Sequence, residues 1–322
     1  MNTVLMTRHV RYSVIIPVYN EEEVITETYW RIKSVMEITG ESYELIFVND
    51  GSRDQTVNLI RSVGASDPSI HIIDLSRNFG HQIAITAGMD YASGDAVIVI
   101  DADLQDPPEL ILDMIAKWKE GYDVVYAQRL ERKGESFFKR KTASLFYRIL
   151  KHMTDIDIPI DTGDFRLLDR KVCNELKRLP ENNRYVRGLV SWVGFKQTAI
   201  QYVREGRFAG ETKYPLKKMI KLSMDGITSF STKPLKVAGI MGMIISIVGF
   251  VYLVFVLFER LFTDAALPGW SSLIAFQLFF GGCMLMFMGI IGEYLGRIYD
   301  EVKHRPLYIV NEVYSKEEPM RR

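Results

Sequence analysis

An apolar run over residues 96–100 stops abruptly at the segment Asp101-Ala102-Asp103-Leu104-Gln105-Asp106-Pro107-Pro108. The β-branched run predicts a strand buried on both faces. Asp101 and Asp103 are two residues apart, so an extended chain directs both carboxylates to the same side. With the carbonyl of Gln105 they offer the oxygen ligands that Mg²⁺ or Mn²⁺ takes when it also holds a diphosphate. The alternative is an acidic loop that caps the following helix.

Strands and helices alternate in the chain before this acidic segment. The pattern predicts strands at 12–18, 44–48, 70–75 and 96–100, and helices at 21–39, 55–63 and 83–92. This alternation is typical of a mostly parallel sheet with helices on its faces. Polar motifs follow each strand, namely Val18-Tyr19-Asn20-Glu21, Asn49-Asp50-Gly51-Ser52, Ser76-Arg77-Asn78-Phe79-Gly80-His81 and the acidic segment. Ligands of open α/β sheets bind at that edge, so we expect one binding site there.

Composition excludes some classes of protein. Lysine plus arginine (40) equals aspartate plus glutamate (40) in the 322 residues, so no overall field favours nucleic acid. The two cysteines, Cys173 and Cys283, lie far apart, which disfavours a disulfide framework. No Gly-x-Gly-x-x-Gly follows the first strand, which argues against a dinucleotide enzyme.

Two uncharged apolar runs, Val237 to Phe258 and Leu273 to Ile291, are each long enough to cross a bilayer. Lysines precede the first run, and Arg297, Lys303 and Arg305 follow the second. By the positive-inside rule, both termini and the large N-terminal domain are expected in the cytoplasm. We therefore divide the chain into a catalytic domain (1–214), interfacial helices (215–234), a transmembrane hairpin (235–296) and a cytoplasmic tail (297–322). The tail is rich in β-formers from Arg305 to Val310, and we expect a strand there that pairs with another subunit.

The segment before the first apolar run has the pattern of an interfacial amphipathic helix. Lys217, Lys218 and Lys221 fall on one side, and apolar residues including Met219 and Ile220 fall near the other. Such lysines could contact a lipid phosphate. An anchor that follows the positive-inside rule without touching substrate is an equally good interpretation.

These motifs together resemble the family 2 glycosyltransferases of the inverting type, whose donor-binding domain has the GT-A fold. The matching pieces are Pro17-Val18-Tyr19-Asn20-Glu21, Asn49-Asp50-Gly51-Ser52, Arg77-Asn78-Phe79-Gly80 and the acidic segment. Two later pieces, Asp161-Thr162-Gly163-Asp164-Phe165-Arg166 and Arg207-Phe208-Ala209-Gly210-Glu211-Thr212-Lys213-Tyr214, resemble the polyprenyl-phosphate glycosyltransferases, as do the two spans. Asn49 departs from the pattern, because many relatives carry aspartate there.

The resemblance implies a role for each matching residue. Nucleotide-sugar binding falls to Pro17, Tyr19, Asn20, Glu21, Asp50, Asp101, Ala102 and Arg129. A metal, Mg²⁺ or Mn²⁺, falls to Asp101, Asp103 and Gln105, and the acceptor phosphate to Arg166, Arg207, Lys213 and Lys217. The catalytic candidates are Asp164 and Asp103.

The role of Asp164 stays open at this stage. A phosphate monoester has a second pKa of about 6, so a polyprenyl phosphate is largely dianionic near neutral pH and has little need of a general base. Asp164 could instead orient Arg166 or a sugar hydroxyl. A turn-forming aspartate after Gly163 is the structural alternative.

The expected activity is inverting transfer of a hexose, glucose or N-acetylglucosamine, from a nucleotide diphosphate (UDP) sugar to undecaprenyl phosphate at the bacterial cytoplasmic membrane. The alternatives are a GDP-mannose enzyme similar to dolichol-phosphate mannose synthases, a processive polysaccharide synthase, and a non-enzymatic nucleotide-sugar sensor. Two spans and the lack of a Gln-x-x-Arg-Trp motif disfavour the polymerase. We also expect a homo-oligomer, no nucleic acid, and as partners a downstream flippase and a second glycosyltransferase for the cell envelope.

Overall fold

The computed structural model describes residues 9–131, 159, 162–203, 231–262 and 269–315. The strands are β1 (Tyr12–Val18), β2 (Tyr43–Asn49), β3 (Ile70–Leu75), β4 (Ala96–Val99), β5 (Val124–Glu131), β6 (Thr162–Asp169), β7 (Gln197–Val203) and β8 (Val310–Ser315). The helices are α1 (Ile25–Ile38), α2 (Thr56–Gly64), α3 (His81–Tyr91), α4 (Leu110–Lys119), α5 (Arg170–Arg178), α6 (Val186–Trp192), α7 (Lys233–Phe262) and α8 (Trp270–Val302). The elements predicted up to residue 100 are all present, with ends that differ by a few residues.

The eight strands in the described part of the chain belong to one sheet, in the order β7-β5-β6-β4-β1-β2-β3-β8. The central strands β4, β1, β2 and β3 are parallel, so their carboxyl ends meet at one edge. β6 runs antiparallel to β4 and also pairs with β5. This topology confirms the predicted sheet with a mostly parallel centre, and it brings the start of β6 to the same edge as the ends of the parallel strands.

Helices cover both faces of the sheet. Apolar residues of α1, α2 and α4 pack with one face of β1, and those of α3, α5 and α6 pack with the other face. β1 and β4 are buried along their whole length, which explains why they read as uninterrupted apolar runs. The edge of the sheet where the parallel strands end is therefore supported by a core of three layers, with helices on both faces of the sheet.

The C-terminal strand differs from its prediction. β8 begins at Val310, where the predicted strand ended, and pairs antiparallel with β3 of the same chain rather than with another subunit. Tyr308 also donates from its hydroxyl to Asp90 Oδ2 at 2.9 Å. β8 covers the edge of β3 that a second copy would otherwise need for pairing.

α7 and α8 are long enough and apolar enough to cross a membrane, and their apolar side chains are exposed along much of their length. A soluble chain would not leave so large an apolar surface open, so these helices indicate membrane association. α8 continues past residue 296, the predicted end of the hairpin, to Val302. Its last turn contacts the segment between α5 and α6, because the backbone N–H of Asn182 donates to Glu301 Oε1 at 2.9 Å and its side chain donates to Glu301 Oε2 at 2.8 Å.

A polar cluster ties α1 to the loop before β3. Lys33 Nζ and the Tyr29 hydroxyl donate to Asp67 Oδ2 at 2.7 and 2.8 Å, and Ser69 donates its backbone N–H to Oδ1 at 2.9 Å. Burial alone would raise the pKa of Asp67, but the hydrogen bonds from Lys33 and Ser69 hold it well below its ordinary value. The charged form of Asp67 therefore stabilises the fold.

We predict that Asp67→Asn lowers the free energy of unfolding by about 1–3 kcal/mol near pH 7, because Lys33 loses its anionic partner. A depressed folded-state pKa stabilises the protein above the unfolded value of about 4 and stops doing so as the pH falls through the folded value. Thermal unfolding of the full chain in detergent should show a lower midpoint than wild type near pH 7 and a smaller difference near pH 3. Asp113→Asn, at an exposed position of α4, is the control and should change little. An equal loss at both pH values would contradict the assignment.

Candidate active site

Two aspartates lie close together just beyond the last pair of β4 and antiparallel β6. That pair is Val99 with Arg166, and Asp101 and Asp164 each lie two residues from it. Like charges placed close together repel. His81 lies between them, with Nε2 at 3.3 Å from Asp101 Oδ1 and 3.3 Å from Asp164 Oδ2. The imidazole of His81 thus links the two carboxylates.

Asp164 is 5% exposed and is surrounded by donors from two helices. Arg187 of α6 approaches it with both sides of its guanidinium, Nε at 2.8 Å from Oδ1 and Nη2 at 3.1 Å from Oδ2. Gln82 of α3 donates from Nε2 to Oδ2 at 3.1 Å. A two-point arginine contact is among the strongest hydrogen-bonded ion pairs, so the orientation of Asp164 is well defined.

The charges of this cluster shift each other's pKa. Burial alone would raise the pKa of Asp164, but Arg187 and His81 hold it well below its ordinary value. Burial would lower the pKa of His81, but Asp101 and Asp164 raise it well above the ordinary value. The pKa of Asp101 is lowered, because His81 outweighs the effect of burial. The site therefore holds two carboxylates and a cationic imidazole in one network.

The acidic segment alternates in burial. Asp101, Asp103 and Gln105 are partly exposed, and the residues between them, Ala102 and Leu104, are buried. The segment is a turn with Leu104 at a φ of +55°, and not the extended chain from which the shared direction of the carboxylates was predicted. The segment is anchored from behind by Thr28 of α1, whose hydroxyl donates to the carbonyl of Ala102 at 2.7 Å.

The acidic segment fits a divalent ion. Asp101 Oδ1 is buried and accepts no hydrogen bond of good geometry, although His81 Nε2 lies 3.3 Å away, and an unsatisfied buried oxygen of this kind suits a bound cation. In the parts of the chain that the structure describes, no three His, Cys, Asp or Glu side chains gather into a metal cage. Mg²⁺ commonly binds through one or two carboxylates plus substrate phosphates rather than a complete protein cage, and this donor set matches that habit.

The loops after β1 and β2 are bonded to each other. Asn20 has a φ of +53°, and its Oδ1 accepts from the backbone N–H of Arg53 at 2.9 Å. Glu21 donates its backbone N–H to the hydroxyl of Thr56 at 2.8 Å. Pro17 is buried in β1, while Tyr19 is 38% exposed at the mouth of this edge. The predicted nucleotide-binding residues at 17–21 therefore form one ordered rim, with Tyr19 as the accessible ring.

Asp50 holds the next loop. Its two oxygens accept the backbone N–H groups of Phe79 and Gly80, at 2.6 and 3.0 Å. Burial raises the pKa of Asp50 against the effect of these bonds. Asp50 therefore holds the loop between β3 and α3 in place, apart from the nucleobase contact expected for it. The neighbouring Asn49 donates from Nδ2 to Asp74 Oδ1 at 2.6 Å, and an aspartate at position 49 would repel Asp74.

Arg129 and Arg166 are both engaged inside the protein. Arg129 Nε donates to the Tyr202 hydroxyl at 3.0 Å, and its Nη2 lies 3.5 Å from Asp106 Oδ2. Tyr202 in turn donates to Asp106 Oδ1. Arg166, 3% exposed, donates to the carbonyls of Gly163 and Asp164, and burial lowers its pKa to about 10. The burial of Arg166 argues against the phosphate contact expected for it, since its donors serve its own strand.

The three other residues expected at the acceptor phosphate, Arg207, Lys213 and Lys217, lie outside the described residues. Two further residues at this site, His81 and Arg187, have no role assigned from the sequence. His81 is the last residue of the polar motif that follows β3, and this position is its signal. Arg187 carries no motif, and its only signal is an arginine within the largely apolar stretch that becomes α6. Arg187 and Asp164 are more than twenty residues apart in the sequence, and the fold brings their side chains into contact.

Comparison with known proteins identifies the class. Residues 13–177 match the model of "Glycosyl transferase family 2", and the chain belongs to that family. It is a glycosyltransferase with the GT-A fold, as expected from its motifs.

Particular relatives cover nearly the whole chain. It is 67% identical to the uncharacterized glycosyltransferase YkcC of Bacillus subtilis, over 97% of both chains. It is 42% identical to the bactoprenol glucosyl transferase of Shigella phage SfV, over 95% of this chain and 100% of the relative. Among solved structures, the glucosyl-3-phosphoglycerate synthase of Mycobacterium tuberculosis with Mn²⁺, UDP-glucose and phosphoglyceric acid is 19% identical. It has a TM-score of 0.44, and the match covers 68% of this chain and 78% of that one.

We predict that Gly51→Ala disturbs this edge more than a glycine change elsewhere. Gly51 has a φ of +71°, and a Cβ there would lie 2.6 Å from the backbone of both Arg77 and Asn78. The substitution should lower stability by about 2 kcal/mol or more and weaken UDP or GDP binding measured by calorimetry. Gly40→Ala is a matched control, since Gly40 has a φ of +65° and open space around it. Equal effects of the two changes would show that the loop contact is unimportant.

Proposed function

We propose that this glycosyltransferase transfers a hexose from a nucleotide diphosphate sugar to undecaprenyl phosphate, with inversion at the anomeric carbon. The observation that carries the proposal is the open face formed by Asp101, Asp103 and Gln105 at the sheet edge, in a chain that also has two exposed apolar helices. The relatives named for bactoprenol glucosylation support the lipid acceptor. Glucose and UDP are the favoured sugar and nucleotide.

The donor would bind along the edge formed by Tyr19, Asn20 and Glu21, with its diphosphate toward Asp101 and Asp103. A divalent ion held by Asp101, Asp103 and Gln105 would offset the negative charge that develops on the departing nucleoside diphosphate. The chain orients these ligands through the bond from Thr28 to the Ala102 carbonyl. Mg²⁺ and Mn²⁺ both suit this oxygen-rich donor set.

In the proposed reaction, a phosphate oxygen of the acceptor attacks the anomeric carbon. The bond from that carbon to the diphosphate oxygen breaks, and its electron pair leaves with the nucleoside diphosphate. Attack from the side opposite the leaving group inverts the configuration. The acceptor phosphate is mostly dianionic near neutral pH and brings no proton that a protein base must remove.

The acceptor would reach the site from the membrane side. Arg207, Lys213 and Lys217 stay assigned to its phosphate through the family resemblance, and arginine suits two-point phosphate contact. The distribution of basic residues supports a topology with α7 and α8 spanning the cytoplasmic membrane and with the catalytic domain and both termini in the cytoplasm. A downstream flippase and a second glycosyltransferase complete the proposal, because a sugar loaded on a lipid inside the cell needs export before use outside.

We predict that the purified full chain in detergent, given undecaprenyl phosphate, Mg²⁺ or Mn²⁺ and a labelled donor, makes one chloroform-soluble lipid carrying a single sugar. A screen of UDP-glucose, UDP-N-acetylglucosamine and GDP-mannose identifies the donor. A polymeric product would indicate a processive synthase. Donor binding without any product would indicate a sensor.

Asp103→Asn should lower the transfer rate about 100-fold or more, because a neutral amide no longer offsets the charge of the bound ion. The thermal unfolding midpoint should stay close to that of wild type, since Asp103 is partly exposed. Asp113→Asn removes the same charge on α4 and should leave transfer unchanged. Normal turnover by Asp103→Asn would refute the metal assignment.

A further inference from the structure

The carboxylate of Asp164 contacts four donor atoms. Its Oδ1 accepts from Arg187 Nε, and its Oδ2 accepts from Arg187 Nη2 and Gln82 Nε2, with His81 Nε2 at 3.3 Å from the same oxygen. A carboxylate offers about two acceptor positions on each oxygen, so the donors around Oδ2 fill that oxygen and Arg187 Nε holds Oδ1. The side chain is also almost wholly buried. These donors stabilise the charged form of Asp164 in one orientation, and a carboxylate stabilised in this way is a poor proton acceptor.

The surroundings fix Arg187 as firmly as Asp164. Its third nitrogen, Nη1, donates to the Thr162 carbonyl at 3.0 Å, at the start of the strand that carries Asp164. Gln82 joins the two helices, because its Oε1 accepts the backbone N–H of Val186 at 2.9 Å while its Nε2 donates to Asp164. The beginnings of α3 and α6 are thus bonded to each other around one carboxylate.

The chain of contacts continues to the acidic segment. His81 Nε2 lies at the same distance, 3.3 Å, from Asp164 Oδ2 and from Asp101 Oδ1, a buried oxygen that accepts no hydrogen bond of good geometry. Movement of Asp164 would release the His81 ring, and a released ring would no longer define the position of Asp101. Partners of this kind behind a metal ligand commonly change metal affinity or activity by about 10- to 100-fold when mutated.

We propose that Arg187 is a positioning residue, which holds Asp164 and, through His81, sets the Asp101 carboxylate for the ion that binds the donor diphosphate. Asp164 acts in this arrangement as a fixed counter-charge rather than as a general base. The inference rests on the proposed function only in taking Asp101 as a ligand of the ion. It needs no assumption about which sugar is transferred.

The test measures ion binding apart from transfer. Full-length protein in detergent is titrated with Mn²⁺ in the presence of saturating UDP or GDP, whichever the wild type binds, and free Mn²⁺ is followed by electron paramagnetic resonance. Arg187→Lys keeps the positive charge but cannot make the two-point contact, and Asp164→Asn keeps the shape but loses the charge. Arg178→Lys, at an exposed position of α5, is the matched control.

Both site variants should raise the Mn²⁺ concentration at half-saturation about 10-fold or more, and Arg178→Lys should not. Transfer by Arg187→Lys should recover in part at high Mn²⁺, which a simple folding defect would not show. If Arg187→Lys does not fold, Asp164→Asn decides the question. The proposal would be overturned if a folded variant reached half-saturation at a Mn²⁺ concentration within twofold of that of wild type. The clearest contradiction would be an Asp164→Asn variant that binds Mn²⁺ normally but has lost transfer, since that is the pattern of a general base. Wild-type protein that binds Mn²⁺ and nucleotide but transfers no sugar would refute the proposed function and leave this inference intact.

Discussion

The repulsion between Asp101 and Asp164 is the constraint on which the rest of the site depends. The two carboxylates both lie 3.3 Å from His81 Nε2, just beyond the last pair of β4 and antiparallel β6, where two unpaired negative charges so close together would be very unfavourable. The protein counters them with one imidazole between them and one guanidinium behind them. Each cation belongs to a different helix, so the arrangement persists only while α3 and α6 are docked on the sheet.

The fold supplies that docking. α3 packs against β1 and β2 closely enough that a Cβ on Gly88 would lie 2.3 Å from Ile15 Cγ2, which sets the position of His81 at the helix start. The acidic segment is supported independently from the other face by Thr28 of α1. The two layers of helices therefore act differently at the same edge of the sheet. The layer that contains α1 holds the backbone of the acidic segment, and the layer that contains α3 and α6 balances the charge of the carboxylates. α8 adds a contact from the membrane-associated part through Glu301 and Asn182, in the segment that leads into α6.

Much of the fold and part of the site were predictable from the sequence. Apolar runs bounded by polar motifs located β1 to β4, because strands buried on both faces leave an unmistakable pattern. The alternation of partly exposed Asp101, Asp103 and Gln105 with buried neighbours has the expected two-residue period, but the segment is a turn with Leu104 at a φ of +55° rather than extended chain. The partners of Asp164 were not predictable, since His81, Gln82 and Arg187 reach it through tertiary contacts with no fixed spacing. The same limit applied to Arg166, whose burial depends on the neighbours of β6, and to β8, whose partner strand lies more than two hundred residues earlier in the chain.

The most direct measurement is an experimental structure of the full chain with Mn²⁺, the nucleotide that it binds and undecaprenyl phosphate. The account predicts the ion on Asp101 and Asp103 beside the nucleotide diphosphate, with Asp164 still held by Arg187 and His81 and with the lipid phosphate approaching from the side of α7 and α8. An ion bound away from Asp101 and Asp103 would contradict it, and so would an Asp164 that has left Arg187 to contact the acceptor phosphate.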